Sequence, residues 1–194
     1  MKPSLSCLVL SALLCACATH ESSVSGALPV ACIGEVLPPP SGMMEVQDPA
    51  LLQRALGQPL QGKLCAGKVF RASEGAAVTV YRVWDASKPY TAMGSWWSFS
   101  APQGSRDTYR AANEICPQWS ALDRVTQCRL KPGAEVVSGP GQSAQCDAAL
   151  TYPPSPANQV FVPNDARKQL MFVENCTMGT PWPTFFEDRR LSPR

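Results

Sequence analysis

Three separated stretches of the chain hold the side chains best suited to chemistry. Val80-Tyr81-Arg82-Val83-Trp84 sets an arginine in a strongly β-forming run. Gly94-Ser95-Trp96-Trp97-Ser98-Phe99 follows, dense in hydroxyls and indoles. Gln159-Val160-Phe161-Val162-Pro163 then puts a carboxamide at the head of an apolar run. A guanidinium presents forked donors that match a pyrophosphate. Indoles provide flat apolar walls for a nicotinamide ring. Cleaving the glycosidic bond between that ring and its ribose builds oxocarbenium character, which a positioned acceptor stabilises. On this reading Arg82 and Gln159 are the catalytic candidates, and Tyr81, Ser95, Trp96, Trp97 and Ser98 the substrate-binding ones. The chemistry requires neither a metal nor a histidine, and no cofactor is expected beyond the dinucleotide as substrate.

What is missing narrows the field. The sole histidine, His20, lies near the N-terminus, so a Ser-His-Asp triad, a Cys-His dyad and a histidine-rich metal site have no imidazole to use. There is no Walker loop and no GxGxxG opening a helix. Gly139-Pro140-Gly141 reads as a tight turn. A glycosidase-like carboxylate pair stays open, since acidic residues are scattered along the chain. With 17 Lys and Arg against 15 Asp and Glu, the net charge of +2 gives no footprint for nucleic acid. The basic residues Arg189, Arg190 and Arg194 read as a solvated tail.

These residues need elements to hold them. Residues 48–57 read as a short helix, capped by Asp48, opened by Pro49 and closed by Gly57 in a left-handed conformation. The β-branched run 76–84 is the strongest strand signal. Residues 106–115, with Tyr109 and Arg110, read as a helix stopped at Cys116-Pro117, and 119–122 adds a further turn. Residues 125–130 and 134–138 read as a hairpin across Lys131-Pro132-Gly133. Two short strands are expected at 159–162 and 169–173. Adjacent Trp96 and Trp97 place one indole on each face of a strand, so at least one belongs to the core. The expected class is α+β, a mainly β domain with two or three short helices.

The N-terminus sets the compartment. Lys2, an apolar run over 5–14 and the small residues Ala16, Cys17 and Ala18 form a secretory signal, too short for a membrane span of about 20 residues. Leu14-Cys15-Ala16-Cys17 resembles a bacterial lipobox, which implies lipidation at Cys17. Ala16-Cys17-Ala18 alternatively fits ordinary signal peptidase. The expected organisation is a signal at 1–16, a lipid-anchored or flexible tether at 17–45, one globular domain at 46–186 and a tail at 187–194. The expected location is the periplasm or outer membrane as a lipoprotein, or the exterior as a secreted protein, with membrane contact only through the lipid on Cys17. Cys7 and Cys15 depart with the signal. Cys32, Cys65, Cys116, Cys128, Cys146 and Cys176 remain, none in a CxxC pair, and are expected to form three disulfides whose pairing the sequence does not fix.

The order Arg82, then the Ser-aromatic stretch 94–99, then Gln159 resembles the ADP-ribosyltransferase fold. The layout is most similar to toxin-type NAD glycohydrolases, the tuberculosis necrotizing toxin family and related polymorphic-toxin domains. The resemblance spans roughly 78–163 and takes in Tyr109-Arg110 as a helical motif, which implies Arg110 as a further substrate-binding residue. It implies an NAD-consuming domain that acts outside the producing cell's cytoplasm. Transferases of the arginine-serine-glutamate class carry Glu-x-Glu where this chain has Gln159-Val160-Phe161, which favours glycohydrolysis over transfer. The Gly-rich run usual before that glutamine is replaced by Ser155-Pro156-Ala157-Asn158. Two other readings stand beside it. One is a non-enzymatic, disulfide-stabilised envelope lipoprotein that binds a protein partner as an inhibitor or accessory factor. The other is a carbohydrate-binding or glycan-cleaving domain that stacks sugars on Trp96, Trp97, Trp119 or Trp182.

Overall fold

Strand formation dominates wherever β-branched residues alternate with polar ones. In the computed structural model, which describes residues 31–182, the strands are β1 (Met43–Val46), β2 (Lys68–Ala72), β3 (Thr79–Trp84), β4 (Trp96–Trp97), β5 (Arg124–Leu130), β6 (Glu135–Gly141), β7 (Ala144–Gln145), β8 (Thr151–Tyr152), β9 (Ser155–Phe161) and β10 (Val173–Pro181). Helices α1 (Pro49–Ala55) and α2 (Arg106–Ala112) complete a mainly β domain. Five strands form one sheet in the order β1-β2-β6-β9-β4, three form a second in the order β10-β5-β3, and β7 pairs with β8. All of these pairings are antiparallel. The signal at 1–16, Cys17, His20 and the tail at 187–194 lie outside the described residues.

The large sheet is buried on both faces, and its two-residue period sorts side chains between two cores. Phe70, Val136, Val160 and Trp97 meet Val80, Cys128, Leu130 and Val173 of the smaller sheet, together with Val78 just before β3. Their neighbours Val69, Val137 and Phe161 turn the other way, under Leu51 and Ala55 of α1, with Trp96 packed beside them. Trp97 is 3% exposed and belongs to the core. The stretch 94–99 is a short crossover. Trp96 and Trp97 pair with Phe161 and Val160 of β9, and one residue later Ser98 exchanges both backbone hydrogen bonds with Tyr81 of β3 at 2.8 Å. That bridge stitches the two sheets together.

Several expectations need correction. The anticipated hairpin over 125–138 does not form, because β5 pairs with β3 and β10 whereas β6 pairs with β2 and β9. Lys131-Pro132-Gly133 instead carries the chain from one sheet to the other, with Lys131 N–H donating to Phe172 O and Gly133 N–H to Ala72 O. Burial of Leu130 and Val136 in the shared core drives this corner. Gly139-Pro140-Gly141 lies inside β6 and is not a tight turn; a Cβ on Gly139 would run into the backbone of Ala66. Asp48 caps α1 as expected, accepting from Leu51 N at 2.9 Å, but the helix closes at Leu56 in an extended conformation and Gly57 is not left-handed. The last strand begins at Val173, after a 3₁₀ turn at Ala166–Lys168, rather than spanning 169–173. β1 starts inside the stretch expected to be a tether, because Met43 and Val46 find pairing partners in Ala72 and Val69.

The disulfides join Cys32 to Cys65, Cys116 to Cys146 and Cys128 to Cys176. Three bridges suit an oxidising, non-cytoplasmic compartment. Cys116–Cys146 clamps the segment just after α2 to the β7–β8 hairpin, and Gln118 Nε2 reinforces it by donating to Cys146 O at 2.6 Å. Among the described residues no helix is long and apolar enough to cross a membrane.

Candidate functional site

Arg82 extends the side of β3 that Val78 and Val80 devote to the core, so a cation ends an otherwise apolar row. Its Nε donates to Thr91 O and its Nη1 to Trp96 O, both at 2.6 Å. Gly94 lets the guanidinium lie flat: a Cβ there would sit 2.6 Å from Nη2. Burial lowers the guanidinium pKa to about 10, which the phenol of Tyr109 partly offsets. Arg82 therefore stays charged at neutral pH. Among the described residues no carboxylate forms an ion pair with it. Burial pushes the Tyr109 phenol up to about 12, against the pull of Arg82, so it remains a neutral donor. The Tyr109 ring is held edge-on to Trp182, centroids 5.2 Å apart.

The end of α2 supplies the other half of the site. Ser105 caps the start of the helix, accepting from Thr108 N. At the far end Glu114 N–H donates to Ala111 O and Ile115 N–H to Arg110 O. These two bonds make a Schellman closure, whose left-handed position normally falls to glycine. Here Glu114 occupies it, with φ of 48°. Arg110 locks the turn from inside: it is 7% exposed, and its Nη1 and Nη2 donate to Ile115 O and Ser120 O. The Glu114 side chain is directed inward and is 2% exposed. Its Oε2 accepts from Gln159 Nε2 at 2.7 Å, whereas Oε1 is buried with no partner among the described residues. A Cβ on Gly141 would collide with this carboxyl group. Desolvation lifts the Glu114 pKa to about 9, despite the opposing hydrogen bond from Gln159, so the group is a neutral acid at pH 7.

Gln159 sits in the middle of β9, on the face that Phe161 gives to the α1 side, and not at a strand start. Its Nε2 also donates to Asn113 O at 3.3 Å. Both acceptors fix the orientation of the amide and leave the Gln159 carbonyl oxygen without a donor among the described residues. One cavity of about 310 Å³ is lined by Arg82, Trp96, Trp97, Tyr109, Glu114 and Gln159, with Lys63 and the 47%-exposed Trp119 also at its walls. A second hollow of about 650 Å³ shares Tyr109 and Asn113 with it and is walled by Pro38-Pro39-Pro40 and Ser98.

Of the residues singled out from the sequence, Arg82, Trp96, Trp97 and Gln159 converge on one recess. The others do not. Ser95 turns to Asn164 O, Tyr81 serves the inter-sheet bridge, and Ser98 accepts from Ser100 N beside the second hollow. Arg110 donates to the backbone carbonyls of Ile115 and Ser120 and is not among the residues that line the cavity. Trp97 lines the cavity, but its indole is spent on the core and on Gly94 O, to which Nε1 donates at 2.7 Å. Glu114 and Lys63 escaped sequence reasoning. The available signal for Glu114 was negative: a helix ending before Cys116-Pro117 with no glycine to close it. Among the described residues there is no cluster of His, Cys, Asp and Glu able to hold a metal ion. No family model matches the chain, and neither a curated protein nor a solved structure shows significant similarity to it.

Proposed function

We propose that the chain is an exported NAD-consuming domain of the ADP-ribosyltransferase-like kind, a glycohydrolase rather than a transferase. The observation that carries this reading is the cavity shared by Arg82 and Gln159. A partly buried guanidinium with no carboxylate partner is a costly arrangement unless an anion completes it, and a pyrophosphate is such an anion. The free carbonyl of Gln159 supplies a fixed acceptor for positive charge that develops on a ribose. Water adds to the anomeric carbon, the bond to the pyridinium nitrogen breaks with its electron pair going to the ring, and the water's proton is released. The products are nicotinamide and ADP-ribose. Because nicotinamide leaves as a neutral molecule, no acid is needed to protonate it. Glu114 is neutral at pH 7 and is no base for activating a protein acceptor, which favours water as the nucleophile. The cavity is at the small end of ligand pockets, so it takes one half of the dinucleotide, and the hollow beyond Tyr109 offers room for the other.

Nicotinamide release from NAD tests the proposal directly, using the protein lacking residues 1–16 with its disulfides formed. Turnover is expected, with Gln159→Ala lowering kcat by about two orders of magnitude and Arg82→Lys raising KM. Absence of both turnover and dinucleotide binding would refute the reading and leave the envelope binding module in its place.

A further inference from the structure

The cavity that holds Arg82 is charged, and the hollow beside it is not. Arg82 and Lys63 both belong to the cavity, whereas none of the residues lining the second hollow of about 650 Å³ carries a charge. That hollow begins where the apolar rows between the sheets stop. Alternate residues of a strand share a face, so the row of Val136 on β6 continues into Ser138, and the row of Val160 on β9 into Asn158. Asn158 spends its amide on the segment that crosses in front: Oδ1 accepts from Leu37 N at 3.0 Å and Nδ2 donates to Glu35 O at 2.9 Å. With the Cys32–Cys65 bridge, these bonds fix Pro38-Pro39-Pro40 as a wall. Ser138 does not repay its place in the row by bonding to the protein. Its hydroxyl has no partner among the described residues and is not sealed as Glu114 Oε1 is, so it opens on the hollow. Asn113 spends Nδ2 on Tyr109 O and keeps Oδ1 without a donor among the described residues.

We infer that this hollow is an uncharged nucleoside site that takes adenosine with a free 2′-hydroxyl, and so selects NAD over NADP. The inference rests on the dinucleotide reading and deepens it by naming the substrate. Tyr109 and Asn113 line both spaces, so a pyrophosphate held by Arg82 leaves one nucleoside on either side of them. Adenosine is neutral, flat at one end and polar along its edges. Phe99, Tyr109 and the proline wall suit the ring, and the Ser138 hydroxyl with Asn113 Oδ1 offers a donor and an acceptor to a neutral edge. NADP differs by a phosphate on the adenosine 2′-oxygen, which carries about two negative charges at pH 7. Its recognition takes a guanidinium or ammonium group, and the residues lining the hollow include neither. An added phosphate without a counter-charge weakens binding by about tenfold or more. Ser138 is on this account a substrate contact, and the uncharged lining sets the specificity.

The test measures dissociation constants of ADP-ribose and 2′-phospho-ADP-ribose by calorimetry, since neither has a nicotinamide bond to lose. The proteins are the disulfide-bonded parent lacking residues 1–16 and its Ser138→Val and Gln103→Arg variants. The parent should bind ADP-ribose at least about tenfold more tightly than the 2′-phosphorylated ligand. Ser138→Val continues the apolar row without the hydroxyl and should weaken ADP-ribose by about tenfold. Gln103 is exposed on the rim of the hollow, so Gln103→Arg adds the missing cation and should narrow the gap between the two ligands by about fivefold or more. If Ser138→Val does not fold, the parent's preference and the exposed Gln103→Arg still decide the matter. Equal or tighter binding of the phosphorylated ligand by the parent, a gap unmoved by Gln103→Arg, ADP-ribose affinity unchanged in folded Ser138→Val, or binding of neither ligand would each overturn the inference. Nicotinamide release from NAD and NADP in a parallel assay separates the two ideas. Equal release from both sinks this inference alone, and selective binding of ADP-ribose without any release sinks the hydrolase reading alone.

Discussion

Replacing Glu114 by glutamine should stabilise the protein, and the pH dependence of the gain follows from the carboxyl group alone. The ordinary carboxyl pKa is 4.5, and in the fold desolvation raises it to about 9. Between those values the native state holds a proton that the unfolded chain has given up. The stability associated with this group is therefore fully present below pH 4.5 and is lost progressively as pH rises through the native pKa. A glutamine never titrates, keeps a carbonyl to accept from Gln159 and fills the same volume. At pH 7, protonating the unfolded carboxyl costs about 3 kcal/mol, from 2.5 pH units at about 1.36 kcal/mol each. Glu114→Gln should gain up to that amount at pH 7 and almost nothing at pH 4. Urea denaturation with intact disulfides measures it: with m of about 1–3 kcal/mol/M, the midpoint should move upward by about 1 M or more at pH 7. A variant no more stable than the parent at pH 7, or a difference that does not widen between pH 5 and pH 8, would refute the argument. Either result would mean that the native carboxyl group is ionised and has found water or a cation.

The other expectations are simpler. Gly94→Ala forces a methyl group against the Arg82 guanidinium, and should cost about 1–3 kcal/mol in denaturant titrations while raising KM for a pyrophosphate-bearing ligand. Arg110→Ala leaves Ile115 O and Ser120 O without a donor in a buried turn. It should destabilise by about 2–3 kcal/mol, and Arg110→Lys should not restore both bonds. Replacing Cys116 and Cys146 together with serine opens a bridge of sequence separation 30. About 3–4 kcal/mol should be lost, and amide protection around 113–120 should fall more than that of β5 and β10, which the Cys128–Cys176 bridge still joins.

Local signals in the chain were legible where one residue's chemistry decides the outcome. Asp48-Pro49 announces α1 through its cap and its fixed φ, and β-branched Val78, Thr79 and Val80 announce β3. The cysteine count implied three bridges, though not their pairing. Pairing partners were not legible. Lys131-Pro132-Gly133 has the composition of a hairpin turn, and only the burial of Leu130 against Val136 across two sheets shows that it is a corner. At the site, Arg82 and Gln159 stood out because a charge or an amide interrupts an apolar run. Ser95, Ser98 and Tyr81 looked equally suitable, and their exclusion depends on a crossover two residues wide. Glu114 was invisible for a physical reason: its role arises from a left-handed turn and a glycine 27 positions away, Gly141, neither of which is written in its neighbours.

Strain in this fold is not spread evenly, and its location argues for a binding cavity over an incidental hollow. Among the described residues six non-glycine residues have positive φ, and three of them, Lys63, Glu114 and Leu122, line the cavity beside Arg82. Each such conformation costs on the order of 1–3 kcal/mol. Leu122 is itself buried with Val83 and Trp182, whereas Lys63 and Glu114 belong to none of the buried apolar clusters. A hollow left over from imperfect packing has no use for a guanidinium without a carboxylate partner or a neutral acid with an orphaned oxygen. Left-handed backbone at Glu114, an uncompensated cation and an unsatisfied acid are three different penalties with different physical origins, and apolar packing explains none of them. What they share is a wall of one recess, and a ligand that brings an anion to Arg82 offsets the cost of its buried charge.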